Sequence, residues 1–506
     1  MKANYRLRID NIKIENSSFN IKKFGAKLMI YIISLFPLFM YTQSIIEHNI
    51  SSNNINEERK IKVRLPKNYT AQQTYPVIYT LDSNYLFNLT RASVEFLSRE
   101  WYDVIPQVIV VGICYKTDEF RYDIGMDLES GELNEHGKNF KNYIVNEVIP
   151  FVNTEYSTCG YETLLGHSYT ATYALHQYAF RKNNTIDSYI AIAPETMKIP
   201  LYLPFYNSSD VSSRIFVATG AADAPRRVDL VKKLETQHKN KLHLTAKFRV
   251  IDGEDHNSVI PRAIDLGLRN IYSSYANSAW IDKRIAKDSL SDAHQLLLEA
   301  IARNDSVYQI DRIRVNNYNA SGLLWHAADF NDIQTFEKVT SYFLNNPSDK
   351  KGYILNYVAD GYYTLGDMKK AAYYYSEALN ILTQENESLF YVYNMLYKIR
   401  EKQQKYSDAW DCMDMAIKDL QHDSDMVLRA KLNQGKLSAN FQTHIEEGIE
   451  KLNDCIAQDY KIAKANLYLG KIYKTRKEYK RSREHILKAL KQDSTLTEAK
   501  NLLKSI

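Results

Sequence analysis

The segment Thr163–Leu175, TLLGHSYTATYAL, constrains the fold of this chain more than any other stretch. A short apolar run, Thr163–Leu165, enters Gly166-His167-Ser168-Tyr169-Thr170, and an Ala-rich helical sequence follows. This is a G-x-S-x-G-type turn between a strand and a helix. Such a turn lifts the serine above the carboxyl edge of a sheet, at the start of a helix. The final Gly of the pattern is Thr170 here, where the helix packs close to the strand. Ala171 and Ala174 keep the rest of that contact small, so Thr170 is expected to be tolerated. His167 points away from the Ser168 hydroxyl in such a turn, and is expected to pack or to form a hydrogen bond behind it.

The flanking sequence supplies the sheet. From about Glu58 to Tyr275 short apolar runs alternate with amphipathic stretches, the pattern of a mostly parallel sheet covered on both faces. Strands are expected at Lys60–Leu65, Val77–Leu81, Val108–Ile113, Thr163–Leu165, Tyr189–Ala193, Arg214–Thr219 and Lys247–Ile251. Helices are expected at Leu86–Ser98, Asn139–Glu155, Tyr169–Arg181, Pro225–His238 and Ser258–Tyr275.

A serine hydroxyl is a weak nucleophile until a base takes its proton. In AKFRVIDGEDHNSVIP, His256 follows the last strand on a Gly-containing loop, where a base would reach the top of the sheet. The acid comes between serine and histidine in chain order. RIFVATGAADAPRRVDL ends a strand at Thr219 and supplies Asp223 four residues later. Its carboxylate would fix the tautomer of His256 and stabilise the imidazolium. Asp229 falls on the next helix. Asp252, Glu254 and Asp255 lie too near His256 in sequence to be the usual partner, although Glu254 or Asp255 could tune it.

With Ser168, Asp223 and His256 in place, the segment Ile61–Tyr272 resembles the putative-esterase family of α/β hydrolases. That family includes S-formylglutathione hydrolases, enterochelin-type siderophore esterases and feruloyl esterases. YPVIYTLDSNYLF resembles its strand and LDG loop, with Ser83 where Gly is usual. IPQVIVVGI with Arg121 and Asp123 resembles its next strand and Arg-containing loop, and FKNYIVNEVIPFVNTEYST its helix before the elbow strand. The resemblance implies an α/β-hydrolase fold and carboxylic-ester hydrolysis through an acyl-enzyme on Ser168. It also implies the backbone N–H of Asn84 as a second oxyanion donor beside that of Tyr169. No metal or organic cofactor is implied. Two other readings use the same residues: an inactive hydrolase fold acting as a scaffold, favoured by Thr170 and Ser83, and an acyltransferase. The expected substrate is a small-molecule or glycan-linked ester.

After Tyr275 strand signals nearly vanish and long helical stretches run on. YVADGYYTLGDMKKAAYYYSEALNIL and YLGKIYKTRKEYKRSREHILKALKQDS share one template. A small residue (Ala359, Gly470) precedes an aromatic (Tyr362, Tyr473), and a second small residue (Ala378, Ala489) ends the unit. Weaker copies put Phe343, Ala416 and Cys455 at the last position. A period near 34 with these positions resembles the tetratricopeptide repeat, whose helix pairs bury their faces against neighbouring repeats. The resemblance covers roughly Leu323–Ser494 and implies a protein or peptide partner. The expected division is an N-terminal extension and signal peptide over 1–44, a hydrolase domain over 58–275, a helical connector over 276–322 and the repeats over 323–506. Residues 45–285 are expected to fold and act alone.

Lys22, Lys23 and Lys27 precede an apolar run from Leu28 to Tyr41, and the segment Thr42–Ser44 supplies small residues, Thr42 and Ser44, for cleavage. This order predicts export. The run is short for a membrane span; uncleaved, residues 28–41 would instead be an anchor, the one route to a membrane. The 21 polar residues before Lys22 fit a start codon placed too early. The formal charge of +5, with Lys and Arg interspersed among acids, gives no case for nucleic acid. Four cysteines without C-x-x-C spacing argue against a disulfide framework and a thiolate metal site.

Overall fold

Strand burial follows position in the sheet. At one edge, β1 (Ile46–Ser52) and β2 (Glu57–Arg64) alternate exposed and buried residues. The central strands are buried almost throughout: β3 (Tyr75–Thr80), β4 (Ile109–Ile113), β5 (Thr158–His167), β6 (Ser188–Ile192) and β7 (Arg214–Gly220). β8 (Ala246–Ile251) closes the other edge. The order is β1-β2-β4-β3-β5-β6-β7-β8. β2 runs antiparallel to β4, and every pairing from β4 through β8 is parallel. Parallel strands buried on both faces read as continuous apolar runs, which is why the sequence located them. This computed structural model describes residues 45–116, 124–127, 130–180, 185–195, 213–238, 246–287, 292–382 and 386–506. The predicted signal region and the residues Arg121 and Asp123 lie outside them.

Helices α1 (Leu86–Leu97), α2 (Glu135–Tyr143), α3 (Ile149–Glu155), α4 (Tyr169–Ala179), α5 (Pro225–His238) and α6 (Val259–Ile271) complete the α/β-hydrolase architecture. The helix expected over 139–155 starts earlier and is interrupted. Residues Ile144–Val148 form a π turn just before Pro150. Proline has no N–H to give and crowds the carbonyl four residues back, so the local widening relieves both problems. β1 was not anticipated. Its alternating burial makes it a half-exposed edge strand, a weaker signal than a core run.

Beyond α6 the chain is all helix among the described residues. α7 (Ser278–Lys287) and α8 (Ala293–Tyr308) lead into five helical hairpins. These are α9 (Asn317–Asp329) with α10 (Ile333–Asn345), α11 (Lys351–Thr364) with α12 (Met368–Leu379), and α13 (Asn386–Lys402) with α14 (Tyr406–Asp419). α15 (Ser424–Phe441) with α16 (Ile445–Ala457) and α17 (Ile462–Thr475) with α18 (Tyr479–Gln492) follow, and α19 (Thr497–Lys504) packs on the last. The repeat positions Phe343, Ala378, Ala416, Cys455 and Ala489 all fall on second helices and are buried. Glu47–Ile506 form one compact unit. No described helix is long and apolar enough to cross a membrane.

One core carboxyl makes stability pH-dependent. Glu162 on β5 is buried, and burial pushes its pKa up to about 8. The charge of Asp187 adds to the rise, against partial relief from Asn153 and Tyr79. A raised carboxyl costs nothing below its ordinary pKa; the cost grows as pH climbs toward the folded-state value. Glu162→Gln should therefore match the parent near pH 4 and exceed it by a few kcal/mol, on the order of 2–4, near pH 8. Urea midpoints at the two pH values check this; equal differences at both would exclude Glu162 as the titrating group.

Candidate active site

The register aligns the carboxyl ends of the central strands. Thr80 stands opposite Leu165 and Gly112, His167 opposite Ile192, and Gly220 opposite Ile251. The loops leaving these ends carry Asp82–Asn84, Ser168, Asp223 and His256 to one edge of the sheet.

Ser168 links β5 directly to α4 with φ +61° and ψ −121°, a left-handed conformation for a residue with a Cβ. The turn is held by backbone bonds from Ser168 N–H to the Ile192 carbonyl (2.8 Å) and from Thr172 N–H to the Ser168 carbonyl (3.1 Å). It is also tight. A Cβ on Gly166 would stand 2.5 Å from the Thr170 carbonyl oxygen, so only glycine fits there.

The structure brings Ser168, His256 and Asp223 together. His256 Nε2 lies 3.1 Å from Ser168 Oγ, and Nδ1 lies 2.9 Å from Asp223 Oδ2. The remaining capacity of the Asp223 carboxylate is filled: Thr219 Oγ1 donates to Oδ2 at 3.0 Å, and the Ala224 N–H and Arg227 donate to Oδ1 at 2.6 and 3.0 Å. Burial pushes its pKa up, but hydrogen bonds from His256, Ala224 and Thr219 outweigh that and hold the carboxyl below the usual range. An ionised Asp223 accepts from Nδ1–H, leaving Nε2 free to accept the Ser168 proton. The two loops are stitched together as well, by Ala221 N–H to the Ile251 carbonyl and Ala222 N–H to the Glu254 carbonyl, both 2.9 Å.

The other candidate acids take other positions. Asp229 is on α5. Glu254 lies 3.8 Å from Arg262, and Asp255 accepts from the N–H groups of Asn257 and Ser258. Arg227, which sequence reasoning passed over, bridges Asp223 to Glu195, and Arg226 pairs with Glu195 at 2.7 Å. The RR pair after Asp223 was the only signal of that brace.

Asn84 is exposed on the turn after β3, and Tyr169 opens α4. The Tyr169 hydroxyl donates to the Met126 carbonyl at 2.6 Å and accepts from the Met126 N–H at 3.0 Å, fixing that loop to the elbow. Ser83, where the resemblance expects Gly, is buried and donates to Cys114 Sγ at 3.1 Å. Gly112 on β4 makes the room: a Cβ there would sit 3.0 Å from Ser83 Cβ.

Sheet order and site geometry together define an α/β-hydrolase domain, and residues 52–193 match the family described as "Putative esterase". The resemblance to that family read from the motifs therefore holds. The uncharacterized protein YjcH of Bacillus subtilis (strain 168) is 33% identical over 138 residues, 26% of this chain and 53% of that protein. The chain thus spans about half the length of that relative. Ferri-bacillibactin esterase BesA of the same organism is 26% identical over 264 residues, 44% of this chain and 86% of BesA. Among solved structures, an uncharacterised protein from Capnocytophaga ochracea DSM 7271 shares the fold with a TM-score of 0.51 at 18% identity, covering 66% of this chain and 93% of that one.

Proposed function

We propose that this chain is a serine carboxylic-ester hydrolase. The observation that carries the reading is the Ser168–His256–Asp223 relay, with both hydrogen bonds near 3 Å on loops of one sheet edge. His256 takes the Ser168 proton as Oγ attacks the ester carbonyl, and the N–H groups of Tyr169 and Asn84 stabilise the oxyanion. His256 then protonates the departing alkoxide, and water attacks the acyl-enzyme with His256 again as base. BesA is named for a ferri-bacillibactin ester, which makes a siderophore lactone the first substrate class to test. A triscatecholate lactone, run beside p-nitrophenyl acyl esters of increasing length, separates that class from simple short-chain esters. Export through the N-terminal segment and a protein or peptide partner on the helical array belong to the same proposal.

Asp223→Asn should keep the fold and lose on the order of 10⁴ in turnover, because an amide stabilises the wrong His256 tautomer. Asp229→Asn should change little. Steady-state kinetics of the two variants decide, and the reverse ranking would move the acid onto α5.

A further inference from the structure

Thr170 departs from the glycine of the elbow pattern, and its surroundings give that departure a purpose. Its side chain is fully buried beneath the elbow. The hydroxyl accepts from the His167 N–H at 2.8 Å and stands 2.6 Å from Asp82 Oδ2, closer than the 2.9 Å to the His167 carbonyl. A hydroxyl has one proton to give, and the carboxylate oxygen at the shorter distance takes it.

Asp82 is itself strained. It leaves β3 with φ +52°, and its carbonyl accepts from the N–H groups of Tyr85 and Leu86 at the head of α1. The turn it opens runs through Ser83 to Asn84. Left-handed non-glycine residues persist where surrounding contacts over-determine them. Here Thr170 joins Asp82 to the backbone of His167, the residue before the left-handed Ser168.

The chain of contacts continues to the base. The Tyr85 hydroxyl lies 3.2 Å from Asp82 Oδ2 and 3.0 Å from His167 Nδ1, and His167 Nε2 lies 2.9 Å from the His256 carbonyl. A carbonyl only accepts, so Nε2 of His167 carries a proton, and the Tyr85 hydroxyl, with one proton to give, links Asp82 Oδ2 to His167 Nδ1. The His167 and His256 rings lie against each other with centroids 4.7 Å apart.

We propose that Thr170 is a positioning residue whose hydroxyl straps the Asp82–Asn84 turn to the nucleophile elbow, fixing the oxyanion donors relative to Ser168. This rests on the hydrolase reading above. Misplacing catalytic groups by about 1 Å costs on the order of 10²-fold, and the loss falls on turnover because the strap touches no substrate.

The test uses the full chain with p-nitrophenyl acetate. Thr170→Val keeps the shape and removes the hydroxyl; it should lower kcat by about 10- to 100-fold with KM within about threefold. Thr170→Ser should stay within about threefold of the parent, a rescue that lost packing would not give. Should Thr170→Val fail to fold over the buried Asp82 carboxylate, Thr170→Gly, which leaves room for water there, takes its place with the same expected split. Parent-like kcat in the hydroxyl-free variant, or equal losses in the Ser variant, overturns the strap alone. Absence of ester turnover and fluorophosphonate labelling in the unaltered chain overturns the hydrolase reading itself.

Discussion

Ser168→Ala is expected to abolish ester hydrolysis and fluorophosphonate labelling while leaving the domain folded. Loss of the nucleophile from a unit of this kind removes on the order of 10⁴–10⁶ in turnover. The fold should survive because the elbow does not depend on Oγ. The turn is held by the backbone bonds to Ile192 and from Thr172, and alanine carries the same Cβ into the left-handed conformation as serine. The hydroxyl's hydrogen bond to His256 Nε2 is part-buried at the mouth of the site, and removing such a bond costs about 1 kcal/mol. Thermal unfolding of the variant should therefore stay within a few degrees of the parent while activity disappears. Undiminished hydrolysis by a folded Ala variant would show that the nucleophile lies elsewhere.

What the sequence disclosed follows from how local each signal is. The central strands are continuous apolar runs, and the elbow couples a run, a tight turn and an Ala-rich helix within thirteen residues. Asp223 and His256 were readable because chain order in this fold ties each to the end of a strand already located. The signals that failed are non-local or weak. β1 is an edge strand with exposed Glu47 and Asn49, so its alternation resembles a polar linker. The sequence shows Thr170 only as a tolerated departure from glycine, because its partner, Asp82, stands 88 residues away on another strand's loop. The same limit hid the docking of the connector. Helical periodicity marks which face of α8 is apolar, but not that Tyr308 at its end belongs to the core beneath the sheet.

Tyr308→Ala is expected to be among the most destabilising single changes in the chain, and the fragment 45–285 to be poorly soluble for the same reason. The Tyr308 ring is fully buried between Tyr161 and Tyr272, with centroids 5.2 and 5.4 Å away. Its hydroxyl donates to the Ile271 carbonyl and accepts from the Ser274 N–H, both at 3.0 Å. Ile310 follows it into the same apolar cluster. Arg312 then donates to the Thr74 carbonyl at 2.8 Å, and Arg314 lies 3.3 Å from Asp103. Burial pushes the Asp103 carboxyl up to about 7 even with Arg314 beside it to lower it, so losing that guanidinium leaves a buried acid without its counter-charge. Deleting a buried aromatic costs about 3–5 kcal/mol, and the unpaired Ser274 N–H adds about 1–3. That approaches the whole stability of an ordinary domain. Tyr308→Phe, which keeps the ring, should lose only about 1–3 kcal/mol. Urea midpoints of the full-length Ala and Phe variants give the ranking, and sedimentation of fragment 45–285 against the whole chain gives the solubility. We propose on these grounds that residues 307–310 complete the hydrolase core and that Arg312 and Arg314 tie the following chain to it; a 45–285 fragment as soluble and as active as the whole chain would return the border to Tyr275.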